Sequence, residues 1–202
     1  MTTANGRAMF VAAHPDDPDF LAGGTVARLV QEDRELTYVI VTNGNKGSAD
    51  RSATPEQLTA IREEEQRRAA RVLGVGHVQS LGYEGGELED TRDLRRDVAR
   101  EIRRWRPDLI ITLNPHRTYN NFPGWHRDHR ITGRVVLDWE QPRLVIDITD
   151  TMDLKLEAIR CHASQVRDFQ AFEARMRSRA ATIGKGRGYS CAEGFDSIVV
   201  PG

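Results

Sequence analysis

Six consecutive residues, His14-Pro15-Asp16-Asp17-Pro18-Asp19, put one imidazole and three carboxylates into a single turn. Carboxylates held that close repel one another unless a cation or solvent neutralises them. Pro15 fixes the backbone of the turn and so directs the side chains that follow. A second reactive stretch lies far along the chain, where His116, Tyr119 and Trp125 precede His126-Arg127-Asp128-His129. Two histidines and one or two carboxylates, with a position left open for water, form the kind of set that holds catalytic zinc. Taken alone, each motif also reads as a solvated turn. Together they favour a metal site, provided the fold brings them to one place.

The flanking pattern supplies such a fold. Ala8 to Ala13 and the β-branched run Leu36 to Thr42 read as buried strands. His77 to Leu81, Leu109 to Leu113 and Leu144 to Ile148 read as a third, fourth and fifth. Helical periodicity fills the gaps over Phe20 to Asp33, Pro55 to Leu73, Leu94 to Trp105 and Arg130 to Trp139, and over Asp153 to Arg179 with a break near Val166. Thr54 is the expected N-cap of the second helix, with Pro55 at its first position and Gly74 at its end. Strands alternating with crossover helices predict an α/β fold of three layers, Rossmann-like, with a mostly parallel sheet covered on both faces. Ligands of such a sheet gather outside the carboxyl ends of its strands, where both reactive stretches begin.

The composition fits this reading. The chain has 202 residues, 39% of them apolar, and reads as a single domain spanning 1–202. Its 29 basic and 30 acidic residues nearly cancel, which gives no global basic field for nucleic acid. No apolar run approaches the roughly 18 residues that a membrane span needs, so no membrane partner is expected. The stretch Met9 to Ala13 ends at once in His-Pro-Asp-Asp and does not read as a signal peptide. Two cysteines, Cys161 and Cys191, are expected as buried free thiols of a reducing, cytoplasmic compartment.

His14-Pro15-Asp16-Asp17 followed by Gly23-Gly24-Thr25, with His126-Arg127-Asp128-His129 much later, closely resembles the LmbE/PIG-L family of zinc-dependent N-deacetylases. Thr42-Asn43-Gly44, the Arg62 and Glu65 pair, Ala163-Ser164-Gln165 after His162, and Ala192-Glu193-Gly194-Phe195 extend the resemblance over most of the chain. The resemblance implies that His14, Asp17 and His129 ligate Zn2+. It makes Asp16 the general base and His126 a charged or acid-donating partner, the acid role being open between the two. Asp128 is placed to orient a histidine ring. The implied reaction is hydrolysis of the acetamide of an N-acetylglucosamine-type sugar or conjugate, a small-molecule amino-sugar substrate. The resemblance also leaves room for a homo-oligomer.

Around these residues, Arg62 is expected either on sugar hydroxyls or a substrate charge, or as a solvated arginine of a charged helix. Asn43, Asn114 and Tyr119 are candidates for substrate contact, and Trp125 for the sugar pocket wall. His77 and His116 read as structural or exposed, and His162 as packed behind the site. Gly23-Gly24 lacks the GxGxxG pattern of a nucleotide loop and reads as a place of close helix packing beneath the metal turn. Two features depart from the family: Pro18 stands where a Glu is frequent, and Leu137 to Val145 is short. The short connection predicts a pocket open on that side, tolerant of a bulky aglycone. Two rival readings are an amidase for a larger thiol–sugar conjugate and a sugar- or nucleotide-binding module with a residual metal site.

Overall fold

The computed structural model describes residues 6–47, 52–115, 127–136 and 143–196. Strands β1 (Arg7–Ala12), β2 (Glu35–Thr42), β3 (His77–Tyr83) and β4 (Leu109–Thr112) form one parallel sheet in the order β3-β2-β1-β4. Phe10 of β1 stands in register with Tyr38 on one side and Ile111 on the other. The two-residue period of a strand sorts the apolar side chains between the faces. Ala8, Phe10, Ala12, Leu36, Tyr38 and Ile40 pack against α1 (Asp17–Gln31) and α2 (Pro55–Val72). Met9, Val11, Val39 and Val41 pack against α3 (Arg92–Trp105) and α4 (Arg127–Val136). Helices on both faces of a parallel sheet make the three layers expected from the sequence.

The order reverses at β1, since β2 lies on one side of it and β4 on the other. By the general rule for such sheets, that switch point, at the carboxyl ends of β1 and β4, marks the crevice where ligands bind. Thr54 caps α2 through a reciprocal capping box with Gln57, and Pro55 opens the helix as expected. Of the two helices that border the crevice, α1 begins at Asp17, three residues before its apolar periodicity does. The first turns of both are polar, and acidic side chains there suit the positive end of a helix dipole.

Two expectations change. The run from Leu144 to Ile148 is not a fifth strand of the main sheet: β5 (Arg143–Asp147) pairs antiparallel with β6 (Ala192–Asp196) in a separate two-stranded sheet. Alternation marks a strand but not its partner, and β6, with Gly194 at its centre and acids around it, carries little apolar signal of its own. Cys161 and Cys191 are free but half-buried rather than buried. The break expected near Val166 is present, separating α5 (Met152–Arg160) from α6 (Phe169–Gly184). The short connection at 138–142 lies outside the described residues. Among the described residues, no helix is long and apolar enough to cross a membrane.

Helix α1 is kinked at Ala22 (φ −141°, ψ 19°). Past the kink, Gly24 lies so close to the chain after β5 that a Cβ there would sit 2.7 Å from the Ile148 side chain. The close packing read from Gly23-Gly24 is with Lys155 and Ile148.

Candidate metal centre and active site

β1 delivers His14 and the turn after it delivers Asp16, while Asp17 opens α1 and His129 lies in the first turn of α4. His14 Nδ1 lies 3.2 Å from His129 Nε2, and His129 Nε2 lies 3.0 Å from Asp17 Oδ1. The third side of the triangle runs to the same carboxylate through its other oxygen, His14 Nδ1 to Asp17 Oδ2 at 3.5 Å. Ligands about 2.0–2.2 Å from one tetrahedral ion are separated by about 3.3–3.6 Å. The observed separations of 3.0–3.5 Å are slightly tighter than that, and one donor atom from each residue lies within 4.8 Å of the other two. The three groups could therefore share a cation after a small outward adjustment. Donor chemistry agrees, with two imidazoles and one carboxylate meeting at a partly buried point.

Asp128 supports this set from behind. Its Oδ2 lies 2.9 Å from His14 Nε2, which leaves Nδ1 as the ring atom facing the centre. The same fully buried carboxylate accepts the backbone N–H groups of Gly86 (2.6 Å) and Leu88 (3.2 Å), so it also ties α4 to the loop after β3. Burial disfavours charge on His14, but hydrogen bonds to Asp128 and Asp17 outweigh it and push the ring up to about 10. Burial likewise opposes charge on Asp17, yet His129 and His14 hold its carboxyl well below the usual range. Asp128 is lowered too: His14 and the two backbone donors overcome its desolvation.

Asp16 is built differently. Its backbone sits at φ 110°, a region that costs a non-glycine residue on the order of 1–3 kcal/mol and persists only where the surroundings enforce it. The enforcement is visible. Asp16 N–H donates to Gln66 Oε1 at 2.8 Å, and its carbonyl accepts from Asp19 and Phe20. Its carboxylate lies 3.2 Å from Arg62 Nη2, without serving as a side of the His14–Asp17–His129 triangle. Burial raises its affinity for a proton, and the nearby Arg62 works against that rise.

Arg62 is thus not the solvated arginine that was one of the two expectations for it. It is buried, donating from Nη2 to the Pro15 carbonyl (2.6 Å) and from Nη1 to the Gly44 carbonyl (3.0 Å). Gly44 allows this approach, because at φ 67° a Cβ would lie 2.6 Å from Nη1. Asn43 folds back on its own loop, its Oδ1 accepting from Asn45 N–H at 3.2 Å. Asn114 is half-buried just past β4. Tyr119, Trp125, His126 and His116 lie outside the described residues.

Sequence reasoning placed His162 behind the site but missed the rest of the polar layer beneath the turn. Asp19, fully buried, binds His162 Nε2 (2.8 Å), Gln66 Nε2 (2.8 Å) and the Tyr38 hydroxyl (3.3 Å). Glu65 accepts from the Ser164 N–H and hydroxyl, anchoring the loop that follows α5. A signal was present. Arg62, Glu65 and Gln66 fall on the stripe Leu58, Ala69, Ala70 and Leu73 that α2 turns toward the sheet, and polar residues on a buried stripe need partners.

The sequence matches the family described as PIG-L: GlcNAc-PI de-N-acetylase over residues 9–140, more than half of the chain. It is 28% identical to the diacetylchitobiose deacetylase of Thermococcus kodakarensis, over 94% of this chain and 82% of that one. It is 30% identical to a probable N-acetyl-alpha-D-glucosaminyl L-malate deacetylase 2 of Bacillus anthracis, over 79% of this chain and 81% of the other. Among solved structures, the N,N'-diacetylchitobiose deacetylase of Pyrococcus horikoshii superposes with a TM-score of 0.85 at 30% identity, covering 95% of this chain and 83% of that one. With a parallel sheet whose switch point gathers two histidines and an aspartate, and with this match across β1 to α4, the chain belongs to the PIG-L, GlcNAc-PI de-N-acetylase, family.

Proposed function

We propose that the protein is a zinc-dependent hydrolase that removes the acetyl group from an N-acetylglucosamine-type sugar or conjugate. The observation that carries the proposal is the meeting of His14, Asp17 and His129, with Asp16 beside them and unspent on that triangle. His14 Nδ1, the Asp17 carboxylate and His129 Nε2 would hold the ion. Zinc in such a set supplies Lewis-acid polarisation of the amide carbonyl and a bound water of lowered pKa. Asp16 is placed to act as general base, accepting the proton of a water as the water oxygen bonds to the acetyl carbon. The C–N bond then breaks, acetate leaves, and the amine nitrogen takes up a proton from His126 or from Asp16. Arg62 keeps the Asp16 carboxylate in place, and Asp128 keeps the His14 ring turned to the centre.

The acetamido-sugar substrate is supported by the named activities of the relatives from Thermococcus kodakarensis and Bacillus anthracis. A larger thiol–sugar amide remains the second reading, because the chain is also 29% identical to a mycothiol S-conjugate amidase of Streptomyces coelicolor, over 65% of this chain and 50% of that one. A cytoplasmic, single-domain enzyme is our reading of the two free cysteines and the continuous alternation of elements. The deciding experiment loads the purified protein with zinc and follows acetate release from N,N'-diacetylchitobiose, N-acetylglucosaminyl malate and free N-acetylglucosamine. Acetate from at least one of them is expected. Cleavage only of a mycothiol S-conjugate would favour the amidase, and no hydrolysis of any amide by the zinc-loaded protein would overturn the proposal.

A further inference from the structure

The kink of α1 is held open by two buried side chains from the last part of the fold. In an undisturbed α-helix the Gly24 N–H bonds to the Phe20 carbonyl, four residues earlier. Here the Gly24 N–H has Glu193 Oε1 as a partner at 3.2 Å, and the Phe20 carbonyl accepts from Lys155 Nζ at 2.9 Å. Lys155 Nζ and Glu193 Oε1 are themselves 2.6 Å apart. The ion pair therefore stands between the donor and acceptor that a straight helix joins, which is one of the recognised causes of a sharp helix kink. Glu193 Oε2 also accepts from the Thr25 N–H (2.8 Å) and hydroxyl (2.5 Å), so the carboxylate caps the second half of α1 as an N-cap residue would. Thr151 secures the same turn by donating to the Gly24 carbonyl at 2.7 Å.

The half of α1 ahead of the kink carries Asp17, and the strained Asp16 is joined to its start. Straightening α1 at Ala22 would swing that half relative to the rest of the helix, and Asp17 with it. We propose that Lys155 and Glu193 are positioning residues of the metal centre: their buried pair, inserted into α1, sets where Asp16 and Asp17 stand against His14 and His129. The proposal rests on reading His14, Asp17 and His129 as that centre. Both residues lie beyond 140, where the family match ends, so the centre depends on a part of the chain that supplies none of its ligands.

The test compares wild type with Glu193→Gln, Lys155→Met and the milder Thr25→Val, which removes one bond to Glu193 and keeps the pair. Hydrogen exchange is measured in the metal-free proteins, zinc affinity by chelator competition, and kcat and KM by acetate release. Faster exchange confined to residues 14–22, with β2 protected as in wild type, is the expected signature. Zinc Kd should rise about 10–100-fold, as for other groups that orient ligands from outside the coordination shell. The kcat should fall at unchanged KM, since substrate contacts stay in place. Should the two stronger variants fail to fold, Thr25→Val shows the same pattern to a smaller degree. Folded variants with wild-type exchange over 14–22 and wild-type zinc Kd would overturn the proposal, and so would loosening spread evenly over the chain. A wild-type protein that binds no zinc would refute the metal reading instead, and the exchange comparison would then decide the proposal by itself.

Discussion

At the scale of single residues, Asp16 and Asp17 are adjacent in sequence but differ in what surrounds them. Asp17 faces two imidazoles and is held charged. Asp16, at a positive φ, pairs with the Arg62 guanidinium and takes up a proton more readily. Two carboxylates pushed apart in this way suit two jobs, ligand and base. Asp16→Asn should therefore retain zinc and lose about 10²–10⁴-fold in kcat, the usual worth of a positioned general base. Metal content and acetate release on the same sample check it. Near-normal turnover would place the base elsewhere, and loss of zinc would make Asp16 a ligand. Arg62→Lys tests the support beneath it. A single ammonium cannot reach Asp16 and the Pro15 and Gly44 carbonyls as the guanidinium does. A fall of about tenfold or more in kcat is expected, each tenfold being about 1.4 kcal/mol of barrier, with KM little changed. A raised KM at normal kcat would return Arg62 to direct substrate contact.

Secondary-structure elements explain why these residues meet. The proposed ligands come from the end of β1 and the first turns of α1 and α4, all at the point where strand order reverses. Rigid elements rather than long loops thus set the ligand spacing. α1 also has to pass close under the segment leaving β5, and Gly24 is the residue that permits it. Gly24→Ala would place a methyl 2.7 Å from Ile148 atoms in a buried seam. Overpacking of that kind costs about 1–3 kcal/mol, to be read from the urea midpoint. A variant as stable as wild type would mean that α1 and Ile148 can part freely, which would also weaken the case for a fixed kink.

On the scale of the whole molecule, the centre joins elements from both faces of the sheet, α1 from one and α4 from the other. A bound ion at that junction would cross-link the two layers. Ligand that binds only the folded state at 100 times its Kd adds about 2.7 kcal/mol. Chelation should therefore lower the melting temperature reversibly, with recovery on returning zinc, as circular dichroism can follow. Identical melting curves with and without zinc would argue against a site that spans the layers. The two-stranded sheet of β5 and β6 matters at this scale as well, since it brings Glu193 to α1 across 168 residues of sequence from Thr25.

The sequence by itself determined the strands β1 to β4, the helices between them and the identity of the residues now found around one point. These are local properties: periodicity reports which face of an element is buried, and side-chain type reports what chemistry a residue carries. The start of α1 came out late because apolar periodicity is silent over a polar first turn, as at Asp17. The tertiary structure alone decided the partner of β5, the buried role of Arg62, the double duty of Asp128 and the insertion of Lys155 and Glu193 into α1. Each of these depends on which distant backbone group lies within hydrogen-bond reach. No spacing along the chain encodes that reach, because packing of the two layers against the sheet sets it.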